Sequence, residues 1–468
     1  MRKSYKIILI VISILLIGSI IIGTSYSMWV KTAVQKEKNI VNSSCFDIEF
    51  TESSSINLAS AIPISDEAGL KKKPYTFTLK NTCNMNSKVT IALDVLSTST
   101  MSSSAIKTSL TKGSNSGTPK LLTSLDKKAE VDISGAKEAY ILGTDIIGAN
   151  KSKSYSLYLW MDESVTVAEV FKSFSSKVVI VNTATEEEPP LEILGKEITD
   201  TTQIATDDPD NNIRYIGANP NNYVYFNCSD YSNQSDSTCE KWRIIGVFKN
   251  ITKEDGTKED LVKIIRNDYI GELRWDSNFA NDWSTATLQT TLNGEYYNGT
   301  YATGALKNDT TRNAIESVVW NLGGSEWDIT VSAYYAAERG TTVYSGRPIT
   351  WTGKIGLMYP SDYGYATSGN TTTDRATCLS KSLGYWNSAS DCYNNDYLFN
   401  NSHDQWLLTP YSPTNGSVFF VRDDGIVNYG YVVYDSVFAR PAAFLKTNIL
   451  LSEVGIGTAE SPYQLKVG

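Results

Sequence analysis

Side chains suited to catalysis are scarce in this sequence. It contains a single histidine, His403, which precedes Asp404. A histidine beside a carboxylate can serve as a general base with its orienting partner, but no serine or cysteine is marked as a matching nucleophile. Two oxygen-rich stretches, 207–212 (DDPDNN) and 393–397 (YNNDY), carry ligand atoms that Ca²⁺ prefers, yet neither follows the EF-hand pattern. We therefore predict that the protein is not an enzyme and holds no cofactor, with Ca²⁺ left open.

The six cysteines point to disulfide bonds. None has the CxxC spacing that is typical of thioredoxin-like sites and of zinc ligands. Because the cysteines fall into neighbouring pairs along the chain, each region can carry its own bridge. The predicted pairs are Cys45–Cys83, Cys228–Cys239 and Cys378–Cys392.

Contact-making side chains crowd into the segment 406–445, WLLTPYSPTNGSVFFVRDDGIVNYGYVVYDSVFARPAAFL. Tyrosine offers a large, rigid, amphipathic contact at low entropic cost, and serine, glycine and asparagine add adaptable hydrogen bonds. The segment is therefore typical of an interaction surface. The same residue types also suit an ordinary sheet whose tyrosines cover a solvent face, and this alternative stays open.

Three residues frame that segment as structural anchors: Trp406, Arg440 and Pro441. We expect a buried indole that needs a partner for its N–H, and a guanidinium that pairs with an internal carboxylate. Asp423 and Asp424 are the candidate partners of Arg440, unless they only shape the DDG turn.

Composition narrows the class of protein. Lys and Arg number 42 against 51 Asp and Glu, which gives a formal net charge of -9 over 468 residues. Such an acidic chain repels phosphate backbones, so nucleic acid is excluded as a partner. With 41% hydrophobic residues most of the chain should fold, and its length suits several domains.

The N-terminus predicts the compartment. A basic start, MRKSYK, precedes an uncharged apolar run from Ile7 to Gly23, and small residues follow at Ser25 and Ser27. The run is close to the shortest helix that spans a bilayer. Residues 1–28 are therefore either a cleaved signal peptide or an uncleaved transmembrane signal-anchor. In both cases the rest of the chain is exported, anchored in the cell membrane facing outward or secreted, where disulfides form.

Residues 29–184 are predicted to form an all-β sandwich. Four stretches alternate apolar and polar residues with the period of a half-buried strand: 75–83, 88–97, 154–162 and 177–183. The Ser/Thr/Gly-rich stretch 97–120 predicts a mobile loop, and DESVTVAEVFKSF (162–174) predicts a short helix. An acidic, proline-containing linker is predicted at 185–212.

Residues 213–468 are predicted to form a second domain of the α+β class. Strand patterns flank the pair Cys228–Cys239, and another covers 261–270. Leu288, Leu292 and Tyr296 have helical spacing. Further helices are predicted at two stretches that end in glycine, DTTRNAIESVVWNLGG (309–324) and SAYYAAERG (332–340).

The stretch GTSYSMWVKTAVQKEKNIVNSSCFDIEF (23–50) resembles the start of the camelysin/TasA-like exported proteins of Gram-positive bacteria. In that family a small-x-small motif and an aromatic residue end the signal sequence, and SSCFDIEF stands where the first strand begins. Ser43, Ser44 and Cys45 depart from the small or glycine residues that are commoner there. The resemblance implies a mature β-sandwich that can self-associate into matrix fibres, which makes a structural fibre subunit the alternative function.

A series of motifs follows in a fixed order: KWRIIGV, NDWSTATLQTTLNGEYYN, IGLMYPSDYG, WLLTPYSP, DDGIVNYGYVVYDSVFARPAAFL and GIGTAESPYQLKVG. This series resembles the C-type-lectin-like domain of bacterial surface and phage-type variable proteins. The resemblance implies that the segment between the tryptophan and the RPA motif supplies a ligand-binding face. The corresponding outward candidates are Tyr411, Ser412, Asn415, Phe419, Asn428, Tyr429, Tyr431, Tyr434 and Asp435.

The same fold is shared with formylglycine-generating enzymes, which bind copper through paired cysteine thiols near the C-terminal core. Here the last cysteine, Cys392, precedes WLLTP, and Cys378–Cys392 suits a bridge that closes a loop. An enzyme of that type is thus the second alternative. The sequence favours a non-catalytic protein of the cell surface or the medium that binds an extracellular protein or glycan ligand.

Overall fold

The computed structural model describes residues 31–34, 46–50, 56–59, 61–113, 117–185, 187, 189 and 191–467. Strands predominate over helices, and the chain divides into two compact units, Met1–Pro190 and Leu191–Gly468. The predicted signal peptide or transmembrane helix, 1–28, lies outside the described residues. Among the residues that are described, no helix has the length and apolar character needed to cross a membrane.

The described part of the first unit contains two antiparallel sheets and one short α-helix, α1 (Asp66–Leu70). The strands are β1 (Lys31–Val34), β2 (Phe46–Phe50), β3 (Ile56–Ala59), β4 (Tyr75–Asn81), β5 (Asn86–Leu96), β6 (Ile106–Lys112), β7 (Lys120–Leu121), β8 (Ala136–Ile147), β9 (Ser152–Met161) and β10 (Ser173–Thr185). One sheet has the order β1-β10-β5-β8, with β3 also paired to β10. The other has the order β2-β4-β9-β6-β7.

The two sheets of the first unit share one hydrophobic core. Phe77 and Leu79 of β4 are buried in it, as are Ile91 and Leu93 of β5. These residues occupy alternate positions because successive side chains of a strand point to opposite faces. The four stretches with strand-like alternation accordingly supply β4, β5, β9 and β10.

Two predictions for the first unit are wrong. The stretch 97–120, predicted as a loop, contains β6, whose Ile106 and Leu110 are buried. The helix predicted over 162–174 is reduced to the 3₁₀ turn Val167–Glu169, and Phe171 of its expected apolar face is 95% exposed. From Ser173 onward the chain pairs with β3 and then with β5, because its β-branched residues suit a strand better than a helix.

The second unit combines short helices with several sheets. Its strands are β11 (Glu192–Ile193), β12 (Lys196–Glu197), β13 (Ile204–Ala205), β14 (Ile213–Tyr215), β15 (Tyr223–Phe226), β16 (Glu240–Thr252), β17 (Lys258–Arg266), β18 (Val318–Asn321), β19 (Thr350–Gly353), β20 (Ile355–Gly356), β21 (Gln405–Pro410), β22 (Ser417–Val421), β23 (Val427–Tyr431), β24 (Ala442–Leu445), β25 (Leu450–Leu451) and β26 (Leu465–Lys466). The main sheet has the order β13-β14-β16-β17-β24-β20, with β15 paired to β16, and a separate sheet has the order β21-β22-β23.

The helices of the second unit are α2 (Thr287–Thr291), α3 (Asp309–Ala314), α4 (Val331–Glu338), α5 (Pro360–Tyr365), α6 (Arg375–Ser380) and α7 (Ser390–Tyr393). The spacing of Leu288, Leu292 and Tyr296 is confirmed as one buried face, since α2 continues into a π-helical turn. The helix predicted over 309–324 is wrong in its second half, where Val318–Asn321 pairs with β19 instead. Its valines and tryptophan favour the strand.

The predicted linker, 185–212, is structured over most of its length and belongs to the second unit from Leu191 onward. There β11 pairs with β12, and β13 pairs with β14. Asp208 then enters the interior, where Arg214 Nε donates to its carboxylate at 2.6 Å. Asp208, within the stretch predicted as an acidic linker, therefore pairs with a buried arginine.

A buried ionic network connects that segment to the centre of the second unit. Arg214 also donates to Asp362 at 3.0 Å, and Lys263 donates to the same carboxylate at 2.5 Å. Burial opposes the ionisation of Asp362, but the two cations outweigh it and lower its pKa to about 2. A buried charge needs such partners, because an unpaired one would be strongly destabilising.

Both disulfides expected in the second unit are present. Cys228–Cys239 closes the loop between β15 and β16, and Cys378–Cys392 joins α6 to α7. The third predicted pair, Cys45–Cys83, includes a residue that lies outside the described part of the chain.

Candidate functional site

Exposed tyrosines lie on the last strand of the sheet β21-β22-β23. Tyr429 and Tyr431 are two residues apart on β23, so their side chains project from the same face. They are 38% and 51% exposed, and Tyr434, just after the strand, is 43% exposed. Gly430 between them is buried. A Cβ there would lie 2.8 Å from the Tyr434 ring, so the glycine leaves room for this ring. The strand therefore presents its tyrosines to solvent, as predicted.

Three further aromatic rings extend the surface on the Tyr429 side. Tyr411 stacks on Tyr429 with ring centroids 3.9 Å apart and an interplanar angle of 9°. Trp327 contacts Tyr429 edge-on at 6.4 Å, and Tyr385 lies 5.7 Å from Trp327. Edge-to-face contact is a favoured aromatic arrangement, so Trp327 stabilises the exposed ring of Tyr429.

A second group of rings surrounds Tyr431. Phe279, which is 43% exposed, lies 5.4 Å from it, and Tyr434 lies 5.7 Å from it on the basis of ring centroids. Strand β23 joins the two groups. We call the whole surface the aromatic strip; it consists of Phe279, Trp327, Tyr385, Tyr411, Tyr429, Tyr431 and Tyr434.

Buried and partly buried hydrogen bonds hold the strip in place. Asn281 is buried, and its side-chain amide donates to the carbonyls of Tyr411, Thr414 and Ser417 at 3.2, 2.7 and 3.0 Å. The indole of Trp327 donates to the carbonyl of Val427 at 3.0 Å. Because these bonds fix the backbone beneath the rings, the strip is preorganised, which lowers the ordering cost of binding.

The loop that carries Phe279 is fixed in a similar way. Asp276 is buried, and one of its oxygens accepts hydrogen bonds from the backbone of Asn278 and Ala280 at 2.9 and 3.0 Å. Phe279 itself has a φ of 57°, in the left-handed region. A bulky residue adopts that conformation only where its surroundings enforce it.

One residue of the predicted face is placed wrongly. Phe419 is fully buried, because the rings of Tyr411 and Tyr334 cover it at 5.8 and 5.2 Å. The other predicted residues reach the surface to different degrees. Exposed or half-buried are Tyr411, Ser412, Asn415, Asn428, Tyr429, Tyr431, Tyr434 and Asp435.

The anchors of the segment are buried, but Arg440 has different partners from those predicted. Trp406 donates its indole N–H to the carbonyl of Leu273 at 2.7 Å, as a buried tryptophan requires. Arg440 donates to the carbonyl of Arg266 and to the side-chain oxygen of Gln405, both at 3.0 Å. Burial lowers the pKa of Arg440. Pro441 is buried beside it.

The carboxylates proposed for Arg440 lie on the surface instead. Asp424 pairs with Arg422 at 3.1 Å, and Asp423 is exposed. The pairing of Arg440 with either of them is therefore wrong. Both aspartates belong to the turn between β22 and β23, which is the alternative role that the sequence left open.

The residues considered for catalysis and for Ca²⁺ are engaged in other contacts. The ring of His403 packs on Phe438 with centroids 4.1 Å apart. Asp207 accepts two hydrogen bonds from Arg375, at 2.9 and 2.8 Å. Within the described residues no group of three or more His, Cys, Asp or Glu side chains is arranged to hold a metal ion.

Three members of the strip were not predicted from the sequence: Phe279, Trp327 and Tyr385. They lie far along the chain from the segment 406–445, on separate loops. Their neighbours in sequence carry no pattern that distinguishes them from core aromatics. Only the tertiary contacts of Trp327 with Tyr385 and Tyr429 reveal that they belong to one surface.

Comparisons with known proteins add little. No family model matches the chain, and no curated protein matches it. A chain from the structure of infectious bursal disease virus Gt strain is similar at 9% identity with a TM-score of 0.15, over 34% of this chain and 33% of that chain. This chain thus spans about a third of the length of that one, and the similarity carries no argument about fold or function.

Proposed function

We propose that the chain is an exported, non-catalytic binding protein whose second unit displays the aromatic strip to an extracellular protein or glycan ligand. The main support is a set of exposed rings held in place by buried and partly buried hydrogen bonds. Contiguous exposed apolar patches mark interaction sites, and Tyr and Trp are enriched at binding hot spots. Two disulfides support a location outside the cytoplasm.

We also propose a fold type for each of the two units. The two sheets around one core support a β-sandwich in the first unit. The mixture of short helices, a main sheet and long ordered loops supports a C-type-lectin-like domain in the second. On this proposal the sandwich carries the binding unit at the cell surface or in the medium.

Alanine substitution tests the binding face. A ligand is first identified by capture on the immobilised full-length chain, and its affinity is then compared between the wild type and the variant Tyr429→Ala/Tyr431→Ala/Tyr434→Ala. We expect at least about a hundredfold loss of affinity, since hot-spot aromatics each contribute about 2 kcal/mol or more. Isothermal titration calorimetry measures the loss.

Tyr344→Ala is the matched control, because Tyr344 is 37% exposed but lies outside the strip. It should bind as the wild type does. Unchanged affinity in the triple variant, with an unchanged unfolding temperature, would place the binding face elsewhere.

A structural fibre subunit is the alternative, and one feature of the first unit favours it. Strand β8 is the last strand of its sheet among the described strands and is 12 residues long; segment 126–128 pairs with its middle around Tyr140, so the rest of the strand forms the open edge. A long edge strand is a template for pairing with another chain, although Lys137, Glu138 and Asp145 lie along it and charged edge residues discourage such pairing. Filaments that form from the full chain as its concentration rises, seen by electron microscopy, would support this alternative; a chain that stays monomeric would exclude it.

A further inference from the structure

A cleft in the second unit shares no residue with the aromatic strip. It has a volume of about 310 Å³ and is lined by the end of the β16–β17 hairpin, the 210–212 turn, β18 and helix α4 with the following Arg339. Binding pockets for small molecules begin at about 300 Å³. The cleft therefore suits a ligand of about the size of a single sugar ring.

The charge of the cleft is opposite to that of the chain. Its lining contains Lys249, Lys258 and Arg339 but only one acidic residue, Asp210, whereas the whole chain has a formal net charge of -9. Lys249 and Lys258 are exposed, and neither has a carboxylate partner within the described part of the chain. The two lysines thus leave the cleft with an uncompensated positive charge.

The guanidinium of Arg339 is fixed in position and has a donor available for a further contact. Its guanidinium lies flat over the ring of Tyr335, 3.4 Å from the ring centroid. Nη1 donates to the carbonyl of Tyr335 and to Glu338, both at 3.1 Å, whereas Nη2 has no partner among the described residues. A planar guanidinium fixed in this way offers an oriented donor to an anion.

The single acid of the cleft is already satisfied. Asp210 accepts a hydrogen bond from the hydroxyl of Tyr335 at 2.5 Å and lies 3.9 Å from Nε of Arg339. The hydroxyl of Tyr335 in turn accepts from the amide of Asn212 at 3.0 Å. Arg339 lies against both Asp210 and Glu338, so the net positive charge of the cleft comes from Lys249 and Lys258, and Arg339 contributes an oriented donor.

A neutral hydrogen-bonding group completes the lining. The backbone N–H and carbonyl of Asn321 both bond to the hydroxyl of Tyr359, at 3.0 and 3.1 Å, which fixes the residue. Its side-chain amide has no partner among the described residues and lines the cleft. An amide beside a cation is the combination that recognises a ligand with both an anionic group and hydroxyls.

We propose that this cleft binds a small organic anion, a carboxylate- or phosphate-bearing molecule no larger than a monosaccharide. Lys249, Lys258 and Nη2 of Arg339 hold the anionic group, and Asn321 contacts the rest of the ligand. The site is independent of the aromatic strip, so the two can be tested separately.

Titration calorimetry of the full chain with three probes tests the proposal: glucuronate, glucose and inorganic phosphate. Glucose is the neutral counterpart of glucuronate, and phosphate separates the two anion classes. We expect glucuronate or phosphate to bind and glucose not to bind. The variant Lys249→Gln/Lys258→Gln should weaken anion binding by at least about tenfold, because charge-assisted hydrogen bonds are lost.

The variant Lys307→Gln/Lys466→Gln is the matched control, since it removes the same charge at exposed positions that do not line the cleft. It should bind the anions as the wild type does. Equal weakening in both variants, equal binding of glucose and glucuronate, or no binding of either anion would overturn the proposal. None of these outcomes bears on the aromatic strip, because the strip supplies no lining residue.

Discussion

Tyr429 shows how single residues create the proposed binding face. Its ring stacks on Tyr411 and touches Trp327, yet 38% of the residue stays exposed. The stacking partners restrict its rotamers before a ligand arrives, so less entropy is lost on binding. Asn281 holds the backbone of the stacking partner, Tyr411, through a donated hydrogen bond. The face is therefore both solvent-accessible and ordered.

Glu338 leads to a prediction about pH. It is fully buried beside Arg339 and accepts hydrogen bonds from the backbone and hydroxyl of Ser361 at 2.9 and 2.5 Å. Burial raises its pKa from 4.5 to about 7 despite Arg339 and Ser361, and the nearby Asp362 acts in the same direction as burial. Between these two pH values the native state keeps a proton that the unfolded state has lost. Stability from this residue therefore falls as pH rises from 4.5 to 7 and stays level above it.

The variant Glu338→Gln removes that dependence. The free energy of unfolding of the variant minus that of the wild type should increase by up to about 3 kcal/mol as pH rises from 4.5 to 7. Urea unfolding across this pH range measures the difference. The exposed Glu460→Gln serves as control and should show a constant difference. A constant difference for Glu338→Gln as well would contradict the prediction.

For single residues, the local sequence predicts whether some side chains are exposed or buried. The exposure of Tyr431 and the burial of Trp406 both follow from local composition. The partners of Arg440 could not be predicted in this way. Two backbone carbonyls and a side-chain amide accept its hydrogen bonds in place of a carboxylate. Backbone acceptors carry no sequence signature, so only the folded chain reveals them.

At the scale of elements, the strip depends on a loop that a disulfide closes. Cys378 and Cys392 are buried and 14 residues apart, and Tyr385 lies between them on a 3₁₀ segment, Leu383–Ser388. The following residue, Trp386, is buried and fixes the loop to the core. The bridge and the indole together place Tyr385 against Trp327.

Removal of this bridge should therefore weaken both the fold and the strip. A bridge that closes about 15 residues stabilises by about 3 kcal/mol in the chain-entropy description, so Cys378→Ala/Cys392→Ala should lose about that much in urea unfolding. Tyr385→Ala with the bridge intact is the control and should keep most of the stability, because Tyr385 is exposed. The prediction fails if the double variant unfolds at the wild-type urea concentration.

The elements also show what periodicity can and cannot predict. Strands β4, β5, β9 and β10 follow from alternating residues, because alternate side chains of each strand enter the core. The helix expected over 309–324 failed because the apolar residues of Val318–Asn321 pair with a strand from 350–353. That partner is distant in sequence, so local spacing alone favoured a helix.

At the scale of the whole molecule, the chain combines two independent kinds of surface in one unit. We propose the aromatic strip as the surface for a large partner and the cleft as the site for a small anion. An acidic chain with a local positive site will attract an anion mainly at short range, since the surrounding charge opposes its approach. A β-rich fold with buried disulfides gives both surfaces a rigid base.

Tyrosine footprinting of the bound chain directly tests whether the aromatic strip is the binding face. The full chain is iodinated with and without a captured ligand, and each tyrosine is read out by mass spectrometry. We expect that Tyr429, Tyr431 and Tyr434 become protected in the complex while Tyr344 reacts as before. A complex in which those strip tyrosines stay as reactive as in the free chain would contradict it.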